Sequence, residues 1–231
     1  AGLLLSTTGT SMIWPFLTIY ISEKLALPLT EVTSLLALNG AVALFASFIA
    51  GPITDRFGRK GIMVVGLAGS GASYFLLSQA STLPAFALLL TLRGFFQPLY
   101  RVGTNAMVSD LVEPEKRAEA FAWMRMSFNV GIAIGPAIGG FIAVSSYTIG
   151  FSIAAATLLL FSLVIALTMR ETLPKGDITR PSNVPRFGGY SDVIRDRTFL
   201  TFILSFTLFN ICSTMLWFLL GGYAKQNYGG F

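Results

Sequence analysis

Long uncharged runs alternate with short polar stretches along this chain. Residues 32–53 and 61–92 contain no charge, and between them lies Gly51-Pro52-Ile53-Thr54-Asp55-Arg56-Phe57-Gly58-Arg59-Lys60, where charges crowd together. About 20 apolar residues in a helix cross about 30 Å of hydrocarbon, so each such run is long enough to span a membrane. The pattern predicts spans at about residues 2–21, 31–53, 61–79, 84–109, 118–144, 148–169 and 198–220.

Local signals refine those spans. Pro15 is expected to kink the first, and Trp14 and Tyr20 fall late in it, where an aromatic belt would lie. Thr30 is a candidate N-cap for the second. Gly66, Gly69, Ser70, Gly71 and Ser73 give the third a small-residue surface for close helix approach. Arg93 stands near the middle of the fourth. Residues 171–197 turn polar, with Pro174, Pro181, Pro185 and a Gly188-Gly189 pair, which reads as a linker; residues 190–197 could form a short interfacial helix within it.

Composition fixes the class. The chain is 54% hydrophobic and 12% charged, with a mean hydropathy of +0.70, against about 25% charged residues in an ordinary soluble domain. An all-α integral membrane protein follows, since barrel strands would alternate in segments of about ten residues. Lys and Arg concentrate in the links after spans two, four and six, among them Arg56, Arg59, Lys60, Lys116 and Arg195, while the other links hold only Lys24 and Lys225. The positive-inside rule puts the even-numbered links in the cytoplasm, and the net charge of +5 reflects that bias rather than nucleic-acid binding. One cysteine, Cys212, and no histidine leave no internal disulfide and no metal cluster, and no cofactor is expected.

The charged stretch is similar to the signature G-x-x-x-D-R-x-G-R-K between the second and third helices of the major facilitator superfamily: Gly51, Asp55, Arg56, Gly58, Arg59 and Lys60 match in register. Gly51 would permit close packing, Gly58 a backbone reversal, and Asp55 could accept hydrogen bonds from a facing helix N-terminus. The resemblance implies a cytoplasmic latch, with Asp110 at the end of span four as partner; without the resemblance, these charges need only fix topology. Gly131, Gly135, Pro136, Gly139 and Gly140 resemble G-x-x-x-G-P-x-x-G-G, the span-five signature of the drug:proton antiporter branch. Glycines every four residues also make an ordinary packing ridge, here a candidate pivot. Arg93 resembles the family's span-four arginine, although the Gln and Gly expected three and four residues later are replaced by Gln97 at four and Pro98 at five. That match implies a place near substrate or proton coupling; the alternative is a structural anchor.

The candidate cavity residues are Trp14, Tyr20, Asn39, Arg93, Gln97, Tyr100, Asn105, Asn129 and Asn210. Every Asp and Glu lies in a link or at a span end, so a proton carrier would be Asp110, Glu23, Glu31 or a residue beyond this chain. The chain begins at Ala1 inside an apolar run, which suggests a piece of a longer protein. The resemblance implies residues 1–170 as a six-helix bundle, 171–197 as a cytoplasmic linker and 198–231 as the first helix of a second bundle, within a twelve-helix protein. It implies no enzyme but a monomeric multi-pass carrier of the bacterial inner membrane, exchanging amphipathic or drug-like small molecules for protons. Uptake or symport of a sugar or other polar solute, and a non-transporting receptor or scaffold on the same fold, are the alternatives.

Overall fold

The computed structural model describes residues 2–173 and 195–228; the side chains of 143–145 and 214–228 lie outside that description. Its helices are α1 (Gly2–Leu25), α2 (Leu29–Phe57), α3 (Arg59–Gln79), α4 (Leu83–Leu111), α5 (Arg117–Ser145), α6 (Tyr147–Thr168) and α7 (Arg197–Tyr228), with one 3-10 turn at Pro114–Lys116. Among the described residues there is no strand. The chain divides into two units, Ala1–Lys175 with the first six helices and Gly176–Phe231 with α7. Most of the expected linker and its interfacial helix fall outside the described residues.

Each predicted span is a helix, and the helices outrun the spans. Apolar length sets the segment that lipid requires, but a helix continues through polar residues until the backbone loses its hydrogen bonds. The second helix therefore runs past Ile53 through Asp55, Arg56 and Phe57, and the chain reverses at the single residue Gly58, whose φ is 94°. This left-handed-side conformation is open to glycine and costly for other residues. The charged stretch is thus not a loop but the last turn of α2, a one-residue reversal and the first turn of α3. Thr30 is not the N-cap of α2: Pro28 holds that place, in extended conformation, and Thr30 is already helical.

Within the first unit, neighbouring helices follow the order α5, α1, α6, α3, α4, α2, with α1 also touching α2. Lipid supplies no hydrophobic drive between helices, so close van der Waals contact at small residues must hold them. Gly66 and Gly69 of α3 supply it against α4, where a methyl on Gly66 would stand 2.7 Å from the Tyr100 amide nitrogen. A continuous core runs through Leu17, Ile21, Tyr74, Phe86, Phe151 and Ile165, and a smaller one joins Ala50, Ile62 and Leu99. Outside, Phe45, Phe141 and Leu167 are exposed, as lipid-facing side chains should be. Among the described residues, α2, α3 and α6 each hold a stretch long and apolar enough to cross a membrane.

Candidate functional site

Two polar centres organise the bundle. The first sits at the α2–α3 reversal. Arg59, the first residue of α3, is 7% exposed, and its side chain reaches back to α2 and across to α4. Its Nη1 donates to Asp55 Oδ1 at 2.8 Å and to the Thr54 carbonyl at 3.2 Å, and its Nε donates to Asp110 Oδ2 at 3.1 Å. Asp110 also accepts from Thr172 Oγ1 at 3.1 Å. A buried guanidinium is costly unless its donors are satisfied, and here three acceptors meet them. Asp55, Arg59 and Asp110 are therefore brought together.

Glu171 completes this centre and was not singled out in the sequence. Its Oε1 accepts the Arg59 backbone N–H at 2.8 Å and its Oε2 that of Lys60 at 3.1 Å. It thereby satisfies the orphan donors at the α3 N-terminus, where the helix dipole also favours an anion. At the α3 N-terminus the accepting carboxylate is Glu171 rather than Asp55. Burial raises the Glu171 carboxyl, but backbone N–H donors from Leu173, Arg59, Thr172 and Lys60 outweigh it and hold the group below the ordinary carboxylate range. Gly58 is required twice, for its φ and because a side chain there would run into the Glu171 carboxylate. Arg56 turns outward over the Phe57 ring, 5.5 Å from its centroid, and Lys60 joins through its backbone. Gly51 has open space where a Cβ would stand, so the close packing expected of it is not made within this unit.

The second centre lies mid-bundle. Arg93 is 5% exposed, and its Nη1 donates to Asn39 Oδ1 at 3.3 Å. The Asn39 side-chain amide in turn donates to the Leu90 carbonyl at 2.7 Å, which orients its oxygen toward Arg93. The guanidinium lies between two rings, 4.7 Å from the Trp14 centroid and 5.0 Å from that of Tyr74. Cation–π attraction is worth about 2 kcal/mol when desolvated, and it replaces a carboxylate here. Gly94 lets α2 and α4 approach, since a Cβ there would press on the Asn39 backbone and side chain. Trp14 thus serves this centre rather than an aromatic belt. Tyr74 had no polar context in sequence to mark it.

The remaining candidates scatter. Tyr20 belongs to a core of rings with Phe86, Tyr147 and Phe151; its hydroxyl donates to the Ser78 carbonyl at 3.2 Å and accepts from Lys24 Nζ at 2.7 Å, so it does not face a cavity. Tyr100 packs edge-on against Phe161. Gln97, Asn105 and Asn129 are exposed on α4 and α5. Asn210 donates to the Phe206 carbonyl of its own helix at 2.7 Å and joins neither centre.

The span-five glycines form the α1–α5 contact. A methyl on Gly131 would stand 2.8 Å from Thr7 Cβ, one on Gly135 2.8 Å from the Thr8 carbonyl, and one on Gly139 would strike Met12. Ser11 Oγ adds a hydrogen bond to the Gly131 carbonyl at 2.8 Å. Gly140 is looser, 3.6 Å from the Phe16 ring by the same measure.

This architecture, a six-helix unit with a charged α2–α3 reversal and a glycine-lined fifth helix, belongs to a membrane carrier fold. The chain matches the Major Facilitator Superfamily over residues 1–230 and belongs to it. It is 32% identical over 170 residues to Multidrug resistance protein 1 of Bacillus subtilis (strain 168), covering 74% of this chain and 42% of that protein. It is 28% identical over 213 residues to a Na(+), Li(+), K(+)/H(+) antiporter of Planococcus maritimus, covering 84% and 49%. The chain therefore spans less than half the length of these relatives. A crystal structure of the human organic anion transporter MFSD10 (TETRAN) shares the fold, with a TM-score of 0.59 at 20% identity over 75% of this chain and 46% of that one.

Proposed function

We propose that this chain forms the first bundle, linker and seventh helix of a secondary transporter that exports amphipathic or drug-like compounds in exchange for protons. In that arrangement residues 1–170 are the bundle, 171–197 the cytoplasmic linker and 198–231 the start of a second bundle. Transport would follow alternating access, one bundle rocking against the other about a midplane cavity. The observation that carries this reading is the Arg59 centre, because it ties the ends of α2, α3 and α4 and the residues after α6 into one unit on a single side of the bundle. Such a set of charge-assisted bonds makes a latch: intact, it holds those ends as a rigid body. The similarity to a multidrug resistance protein and to a cation/proton antiporter supports both the substrate class and the coupling.

The test uses the full-length transporter in liposomes loaded with the pH dye pyranine. Addition of an amphipathic substrate, drawn from a panel that holds both charges (taurocholate and ethidium), should release or take up protons, and Asp55→Asn should reduce that flux at least tenfold. Proton movement that ignores substrate in wild type would overturn antiport, and substrate flux indifferent to a proton gradient would favour a uniporter.

A further inference from the structure

Within the first unit, the interior of the helices is positively charged. Every Asp and Glu of α1 to α6 lies in the first or last turn of its helix: Glu23, Glu31, Asp55, Asp110 and Glu119. The arginines do not follow that rule. Arg93 stands ten residues into α4 and Arg101 ten residues before its end, and Arg125 stands eight residues into α5. An arginine deep in a span costs about 2.5–3.5 kcal/mol on insertion scales, so three without one compensating acid need a reason.

Their placement supplies it. Gln97, Arg101 and Asn105 recur every four residues and share one exposed face of α4, whereas Arg93, a further turn back, is buried in the bundle. Arg125 and Asn129 repeat that spacing on α5. Gln97, Arg101, Asn105, Arg125 and Asn129 are all exposed in this unit, and neither Arg101 nor Arg125 has an ion pair among the described residues. At a rise of about 1.5 Å per residue, Arg101 lies about 15 Å from the end of α4 and Arg125 about 12 Å from the start of α5. The two helices join at that end, so the two residues stand at similar heights along the bundle, although α4 and α5 scarcely pack on one another. Arg93, buried with only an amide and two rings as partners, adds a third cation without a carboxylate one level further in.

We infer that Arg101 and Arg125 receive the negatively charged group of the substrate, and that the transported compound is an organic anion: an amphiphile bearing a carboxylate, sulfonate or similar group. The planar guanidinium meets such a group through two parallel N–H donors, and Gln97, Asn105 and Asn129 offer further donors beside it. A face with cations and no acid raises the local concentration of anions and repels cations, so it selects by charge before it selects by shape. The inference rests on the export reading for its account of what the face binds, but not on proton coupling.

The experiment measures binding without any gradient. The full-length transporter in nanodiscs is titrated with two xanthene dyes of opposite charge, carboxyfluorescein and rhodamine 123, followed by fluorescence polarisation. Carboxyfluorescein should bind in preference to rhodamine 123 and weaken with added salt. Arg101→Gln and Arg125→Gln should each weaken carboxyfluorescein binding about tenfold, and Arg101→Lys, which keeps the charge but not the fork, should recover only part of it. Preference for rhodamine 123, binding of neither dye, or charge preference unaltered in both Gln variants would overturn the inference. A drop in thermal stability with unaltered charge preference would do the same, because it would assign the arginines to carboxylates elsewhere in the transporter. Should carboxyfluorescein bind as described while liposome flux ignores the proton gradient, the anion site stands and the antiport reading falls.

Discussion

Glu171 accepts the backbone N–H of Arg59 at 2.8 Å although the two residues lie 112 positions apart. The contact places the end of α6 on the start of α3, where Arg59 already binds Asp55 and Asp110 with its side chain. One residue thus donates, through both its main chain and its side chain, to three separate parts of the sequence.

The first prediction concerns pH. The folded state holds the Glu171 carboxyl below its ordinary value, so its contribution to stability is present above the unfolded-state pKa and is lost as pH falls through the depressed folded value. Glu171→Gln should lower the melting temperature of the full-length protein in detergent at pH 7, at a cost of about 1 kcal/mol, the usual size of a lost cap. Repeating the melts at decreasing pH should bring the two proteins together. A gap of constant size down to strongly acidic pH would show that Glu171 does not act through its charge.

Gly58→Ala should destabilise more than an ordinary surface substitution. A Cβ at φ 94° is strained by about 1–3 kcal/mol and would also displace the Glu171 carboxylate. Combining it with Glu171→Ala separates the two causes in thermal melts: the backbone strain persists and the collision does not. Full rescue by the double variant would mean that strain contributes nothing.

The glycine ridge predicts a contrast along one helix. Gly135→Val should cost about 1–3 kcal/mol, because its side chain would enter the α1 backbone at Thr8. Gly140→Ala should be close to neutral, with its new methyl at ordinary contact distance from Phe16. Equal melting temperatures for the two variants would remove the ridge from the account.

Arg93 predicts a difference between two cations. Lysine keeps the charge but loses the flat surface that lies between Trp14 and Tyr74 and the fork that reaches Asn39. Arg93→Lys should therefore lower stability by about 1 kcal/mol and change Trp14 fluorescence. An unchanged spectrum would show that the ring contact does not persist in solution.

The fold was largely legible because lipid imposes it: uncharged runs of fixed length locate helices whatever packs against them, and each predicted span is a helix. Helix ends were less legible, since apolar length stops at Ile53 while the helix continues to Phe57. At the candidate site, the family resemblance pointed to Asp55, Arg59 and Asp110, which meet. It passed over Glu171, which reads as the first residue of a polar linker until the chain is folded back on α3. Arg101 and Arg125 were hidden in spans whose average was apolar. Tyr20 carried an inviting hydroxyl that the structure spends on Ser78 and Lys24. Side-chain type marks polar capacity, but only the packing decides which partner uses it.

The measurement that tests the account most directly is a double-mutant cycle at the latch, read as substrate-driven proton flux in liposomes bearing the full-length transporter. Asp55→Asn and Arg59→Gln remove opposite ends of one 2.8 Å bond. If that bond acts within a single gating unit, the double variant should lose no more flux than the more impaired single variant, with a coupling energy of about 0.5–3 kcal/mol. Flux losses that simply multiply would show that the two residues act independently and that their meeting in the fold is not the latch.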